Sequence, residues 1–296
     1  MGICAVTEAE NTLQIAGQIL TMYDPGLSLR ELIIATPNKT LATALENRDK
    51  RLVVVFEDHR EGKAPALNKI LQRATGDILV LASADIKLGR SSIPRLVHTL
   101  SNNDSWGAVD SRVEIVNGDT RLMDRVSSLV WEVHNEMLDT LDGDGRLGHV
   151  AGDLLAVRRN LLKDIPNTIN DDAYIAVNIK RQGYAVHRVQ NALVWIAGPR
   201  NPVDYVSQRS RILQGHLQLI KDFGAMPTTF EFTLMWKPFR NLRVLNRVLS
   251  RFGPSYLPTL FAALFLEFVS FQAAILQLFT RRKYRPWRVA ESTKRV

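Results

Sequence analysis

Residues 76–85 read GDILVLASAD. Five consecutive apolar residues, Ile78 to Ala82, follow the turn pair Gly76-Asp77 and stop at Ser83-Ala84-Asp85. A short unbroken apolar run between turn residues predicts a strand buried on both faces, as in a parallel sheet covered by helices. A carboxylate placed where such a strand meets a loop is costly unless it is solvated, paired or bound to a metal. Asp85 is therefore a candidate metal ligand, although a turn or helix-cap residue satisfies the same pattern.

Similar runs lie on either side. Residues 3–7, Leu32 to Ala35 and Leu52 to Phe56 read as strands, separated by helical patterns over Leu13 to Met22, near 40–48 and near 64–74. Downstream, Trp106 to Val116 and Leu154 to Val157 are strand-like, Leu122 to Leu141 is an amphipathic helix, and a helix to Arg181 precedes the strand Val186 to Val189. This alternation predicts an α/β domain with a mostly parallel central sheet. Sites in such sheets lie at the carboxyl ends of the strands. That rule singles out Thr7-Glu8, Thr36-Pro37-Asn38, Glu57-Asp58 and Ser83-Ala84-Asp85. These turns contain neither the glycine-rich dinucleotide fingerprint nor a P-loop, so any nucleotide here is held without a glycine cradle. The segment Asp142-Gly143-Asp144-Gly145 reads as a turn, because it lacks the later ligands of a calcium loop.

Three further features carry potential chemistry. Adjacent carboxylates at Asp171-Asp172 repel, which raises the pKa of one toward that of a general base; acids at a helix start are equally favoured by the helix dipole. Gly62-Lys63 just before a helix places a cation at a natural phosphate site, or else forms a surface cap. His149, between Gly148 and the small residues up to Gly152, has no second ligand at metal-binding spacing and reads first as structural.

Taken in order, EGKAPALN (61–68), GDILVLASAD (76–85), NDDAYIA (170–176) with Gly183-Tyr184, and Gln208-Arg209-Ser210-Arg211 resemble the motif series of family-2 glycosyltransferases with the GT-A fold. The resemblance spans roughly residues 3–220. It implies an inverting transferase that uses a UDP- or GDP-sugar with Mg2+ or Mn2+. Ser83-Ala84-Asp85 matches the family's DxD triplet, so Asp85 would hold the metal against the diphosphate while Ser83, replacing the first Asp, offers only a hydroxyl. Asp172 matches the acceptor-activating base and Asp171 its orienting partner. Thr7, Glu8, Thr36 and Asn38 fall where the family reads the nucleotide, with Lys63 nearby. Gln208 and Arg211 match a QxxRW motif in which Ile212 replaces Trp, and Arg211 would bind the diphosphate. Gly148 to Asp153, with His149 and Gly152, resembles the acceptor-side loop.

The chain has 46% hydrophobic and 23% charged residues, a globular composition. Cys4 is its only cysteine, which excludes an intrachain disulfide or a cysteine-built zinc site. The net charge of +8 is unevenly spread: residues 1–235 hold 26 Lys and Arg against 28 Asp and Glu, and residues 236–296 hold 12 against 2. The same tail contains the apolar run Leu257 to Phe279, whose only charged residue is Glu267. Basic flanks around an apolar run indicate a membrane surface rather than nucleic acid.

Within the tail, Trp236 to Phe252 places Leu242, Leu245, Val248 and Leu249 on one helical face with arginines elsewhere, as in a helix lying in the membrane interface. Leu257 to Phe279 is long enough to cross about 30 Å of hydrocarbon. Basic flanks on both sides predict a re-entrant or two-helix hairpin, with Trp287 as an interfacial anchor; a helix pair packed on the catalytic domain is the alternative. The expected organisation is a catalytic domain over 1–235 and a membrane-associated tail over 236–296. The N-terminus lacks a signal-peptide pattern, so the expected location is the cytoplasmic membrane face, with a lipid or lipid-linked acceptor. The alternatives are a polysaccharide synthase subunit and a degenerate, non-catalytic scaffold suggested by Ser83.

Overall fold

The computed structural model describes residues 1–4, 9–226, 228–234 and 237–279. Thr7, Glu8, Trp236 and Trp287 lie outside the described residues. In chain order the elements are β1 (Gly2–Cys4), α1 (Ala9–Leu20), β2 (Leu32–Thr36), α2 (Lys39–Leu45), β3 (Leu52–Phe56), α3 (Lys63–Arg73), β4 (Ile78–Ser83), β5 (Ile86–Leu88) and α4 (Ser92–Ser101). They continue with β6 (Trp106–Ile115), α5 (Leu122–Gly143), β7 (Leu154–Arg158), α6 (Asp171–Arg181), β8 (Ala185–Ile196), α7 (Pro202–Phe223), α8 (Phe230–Leu234), α9 (Pro238–Phe252) and α10 (Leu257–Phe279).

Among the described residues the strands form one sheet in the order β3-β2-β1-β4-β7-β6-β8-β5. Strand alternation sorts their side chains into two cores. One joins Ile33, Leu79, Leu81, Leu155 and Val157 to Leu67 and Ile70 of α3, Met137 and Leu138 of α5, and Ile175 and Ile179 of α6. The other joins Ile34, Val80, Ala82 and Leu154 to Ile15 of α1, Leu41 of α2 and Leu96 of α4. The result is a helix–sheet–helix sandwich, as continuous apolar strands require.

The sheet is mixed, with parallel pairings in the majority as expected and an antiparallel minority set by β7 and β5. The pairings β1/β2, β2/β3, β1/β4 and β6/β8 are parallel, whereas β4/β7, β6/β7 and β5/β8 are antiparallel. The reversal at β7 follows from its entry point: α5 and the loop 144–153 return the chain to the carboxyl end of β4, where Ala82 pairs with Leu154. A right-handed crossover would have entered from the opposite edge. The predicted strand Val186 to Val189 continues to Ile196, because it stays paired along β6 past a register shift between Ser111 and Arg112. Asp85 sits in the turn between β4 and the short β5, an element too brief to read from periodicity.

The C-terminal helices differ from expectation. Val244 and Val248 of α9 are fully buried, and Val248 packs in a third core with Val126 and Leu129 of α5, Tyr205 of α7, and Ala263 and Leu266 of α10. Ion pairs reinforce this seat: Arg247 Nε meets Glu136 Oε1 at 3.0 Å and Arg251 Nη1 meets Glu132 Oε1 at 2.6 Å. Part of the apolar stripe of α9 thus serves domain packing, the alternative raised above, while Leu242 and Phe239 remain exposed. Leu257–Phe279 forms one continuous helix rather than a hairpin. Among the described residues, Pro254–Gln277 is the one helix long and apolar enough to cross a membrane by length and composition. Glu267, which interrupts the run, turns toward α7: Arg209 Nε and Nη2 donate to its two oxygens at 2.7 Å each, and the Tyr205 hydroxyl also donates to it. The opposite face leaves Phe261, Leu264, Phe265 and Phe268 more than half exposed.

Candidate active site

The parallel strands β2, β1 and β4 end at a common edge, and three helix or loop starts converge beside it. α3 begins with Lys63 after Gly62, α6 begins with Asp171-Asp172, and β7 begins just after Gly152-Asp153. Both helices cover the same face of the sheet. Their N-termini therefore meet, and Lys63 Nζ lies 2.9 Å from Asp171 Oδ2. Asp171 is buried, and the lysine balances its charge.

Asp172 is held more tightly. The backbone N–H of Ala173 donates to its Oδ1 at 2.6 Å. On the other side Gly152 has φ +81°, and a Cβ built on it would stand 2.4 Å from Asp172 Oδ2. Only glycine fits there, both for its left-handed backbone and for the close approach. Burial first, and then the Asp171 carboxylate, push Asp172 up to about 7. A carboxylate poised near neutrality is suited to take a proton from a hydroxyl.

The loop carrying Gly152 is fixed from below. Asp110 on β6 is fully buried and accepts from the Ala151 N–H at 3.0 Å. It sits directly opposite Arg188 on β8, with Arg188 Nη1 3.4 Å from its Oδ2. Arg188 also meets Asp139 Oδ1 through Nε at 2.8 Å and donates to Asn135. Burial pushes Asp110 up to about 6, with Arg188 opposing that rise. The next carboxylate along, Asp153, is pushed well above the ordinary range by burial and then by Asp85, with Lys63 opposing. Neither Asp110 nor Asp153 was singled out as a site residue in the sequence: Asp110 meets Arg188 across the β6/β8 pairing, and Asp153 meets Ser83 through β7's reversed pairing with β4. The available signal was one of cost, since both carboxylates flank or interrupt apolar strand runs.

The structure thus gathers Lys63, Asp171, Asp172 and Gly152 directly, and it brings Asp85 within electrostatic reach of Asp153. The other candidates have the following surroundings. Thr36 is fully buried, and its hydroxyl accepts from the Asn38 N–H at 3.1 Å. Asn38 caps α2 by accepting from Leu41 N–H at 3.1 Å. His149 is buried in a ladder of edge-to-face rings, 5.4 Å from His134 and 5.5 Å from His216. Gln208 and Arg211 are half-buried on the stripe of α7 that includes Ile212 and Gly215. That stripe positions the Asp pair, because Asn170 Nδ2 donates to Ile212 C=O at 3.0 Å and packs against Gly215.

No group of three His, Cys, Asp or Glu among the described residues has metal-binding geometry. Mg2+ and Mn2+ favour hard oxygen ligands, and Mg2+ in phosphate-binding sites is commonly held by one or two carboxylates together with substrate phosphates. Asp85 at the strand edge fits that chemistry, while Ser83 adds no charge.

Residues 36–215 match the family described as Glycosyltransferase like family 2. The probable glycosyltransferase YdaM of Bacillus subtilis (strain 168) is 22% identical over 174 residues, 56% of this chain; the chain covers 40% of that relative's length. The mannosyltransferase PcManGT from Pyrobaculum calidifontis, solved with GDP-Man and Mn2+, superposes with a TM-score of 0.63 at 22% identity, covering 95% of this chain and 87% of that one. Glucosyl-3-phosphoglycerate synthase from Mycobacterium tuberculosis, solved with Mn2+, UDP and glucosyl-3-phosphoglycerate, gives 0.51 at 20% identity over 76% and 79%. These likenesses identify a GT-A-type fold. The family match encloses Lys63, Asp85, Gly152, Asp171 and Asp172, and the chain belongs to the glycosyltransferase family 2 group.

Proposed function

We propose that this protein is an inverting glycosyltransferase that moves a sugar from a UDP- or GDP-sugar to a lipid or lipid-linked acceptor at the cytoplasmic face of a membrane. The observation that carries the reading is Asp172, set against Gly152 and raised to about 7 at the edge where β4 delivers Asp85. Asp172 takes the proton from the acceptor hydroxyl. The acceptor oxygen then bonds to the anomeric carbon as the bond from that carbon to the phosphate oxygen breaks, its electron pair leaving with the nucleoside diphosphate. Asp171, paired with Lys63, orients the base. Lys63 and Arg211 offer positive charge to the departing diphosphate. A bound Mg2+ or Mn2+, held by Asp85, would neutralise part of that same charge.

The membrane half of the reading rests on α10. Its exposed phenylalanine face has no counterpart on an ordinary soluble surface, and the arginine-rich segment 236–296 adds attraction to anionic lipid. In this view residues 1–235 are the catalytic domain and 236–296 the attachment.

Incubation of the full chain with a panel of nucleotide sugars, Mn2+ and lipid extract should release nucleoside diphosphate from one donor and produce a heavier lipid. A complete lack of donor turnover with every lipid fraction would sink the catalytic reading. Flotation with anionic vesicles checks the attachment: wild type should float, and replacement of Phe261, Phe265 and Phe268 by Ser should abolish it. Equal flotation by both proteins would remove the α10 face from the argument.

A further inference from the structure

Ser83, the first residue of the Ser83-Ala84-Asp85 triplet at the proposed donor site, brings a hydroxyl and no carboxylate. The sheet supplies one from the neighbouring strand. β4 and β7 run antiparallel with Ala82 opposite Leu154 and Leu81 opposite Leu155. The ladder continues one step further, with the Ser83 N–H donating to the Asp153 C=O at 2.9 Å. Residues directly opposite in an antiparallel pair project to the same face of the sheet, with Cβ atoms about 4.5–5.5 Å apart. Leu81 and Leu155, two residues back on each strand, both lie in the core covered by α3 and α6. By alternation, Ser83 and Asp153 continue that row toward the N-termini of those helices, where Lys63 and Asp172 stand.

Resting on the donor-site reading above, we infer that Asp153 is the second carboxylate of the metal–diphosphate site, replacing from β7 the acid that Ser83 withholds on β4. Asp85 and Asp153 then flank one cation from two strands. The serine hydroxyl remains between them as a neutral hydrogen-bonding group. The charge around the site agrees with this assignment: Asp85 and Asp172 repel Asp153, and Lys63, which also meets Asp171, opposes them. A divalent ion beside Asp85 and Asp153 relieves their mutual repulsion, as Lys63 already does for Asp171. Asp153 would be a ligand by position in space, with no counterpart in the linear motif.

The test is Mn2+ binding to the full-length protein in detergent, read from the loss of the free-ion electron paramagnetic resonance signal, alone and with UDP or GDP. Asp153→Asn should weaken Mn2+ at least tenfold while thermal unfolding shows the protein still folded. The transposed variant Ser83→Asp/Asp153→Ser, which keeps the number of carboxylates, should bind Mn2+ within about threefold of wild type. Wild-type affinity in Asp153→Asn, with loss in Asp85→Asn, overturns this inference and leaves the donor-site reading standing. Failure of the transposed, folded variant to recover binding also overturns it. Absence of Mn2+ binding by wild type in the presence of both nucleotides overturns the metal site as a whole.

Discussion

Two groups of carboxylates sit one above the other on the same side of this sheet, and they are built on opposite principles. In the lower group, Asp110, Asp139, Glu132 and Glu136 are matched by Arg188, Arg112, Arg247 and Arg251, all within the fold. In the upper group, Asp153, Asp171 and Asp172 gather around Lys63, with Asp85 beside Asp153. The lower group is closed and structural. The upper group is concentrated at a strand edge, where Asp85 and Asp172 repel Asp153 and Lys63 opposes them; in the proposed function a cation and a diphosphate complete it. Clustering buried carboxylates is expensive, and the cost shows in Asp153 and Asp172, both of which burial and neighbouring carboxylates push up.

The contrast can be broken from either side. The largest effect is expected from Asp172→Asn, which should lower donor turnover by about 10²–10⁴-fold with no loss of thermal stability. A Tm drop matching the activity loss would put Asp172 in the structural group. Arg188→Met should do the reverse, leaving Asp110 and Asp139 buried without their shared cation at a cost of about 3–5 kcal/mol, read from denaturant unfolding. Gly152→Ala should cut turnover roughly 100-fold by displacing Asp172 and cost about 1 kcal/mol or more of stability through its left-handed backbone, less than Arg188→Met.

The smallest effect is the pH response. Asp172 titrates near 7 when folded and in the ordinary carboxylate range when unfolded. Between about pH 4 and 7 the folded state therefore holds the extra proton, and this group's contribution to stability falls as pH rises through that window. Activity should move the other way, with an acidic limb in kcat/KM near 7 that disappears in Asp172→Asn. A flat profile in wild type would separate Asp172 from the proton transfer.

What the sequence showed depended on whether a residue's neighbours are local. Lys63, Asp85 and the Asp171-Asp172 pair stand at the ends of elements whose periodicity is plain, so their convergence follows from the α/β pattern. Asp153 and Asp110 take their meaning from strands 70 or more residues away, and for Asp153 the pairing runs in a direction the pattern did not predict. Asn38 is ambiguous for another reason: the residue type that suits a ligand contact also suits a helix cap, and its side chain caps α2. The stripe on α9 was ambiguous for a physical reason, since a face that fits α5 and a face that fits lipid need the same leucines and valines.

The clamp on Glu267 bears on how the chain is made. Tyr205 and Arg209 belong to α7, which is complete before α10 begins. A domain that folds from its N-terminus during synthesis therefore presents a cationic socket to Glu267 as soon as that residue is available. Capture there orients the helix early, with its phenylalanine face outward. A hydropathy window sees a segment bound for the bilayer interior; the order of synthesis gives the folded domain the first claim on it.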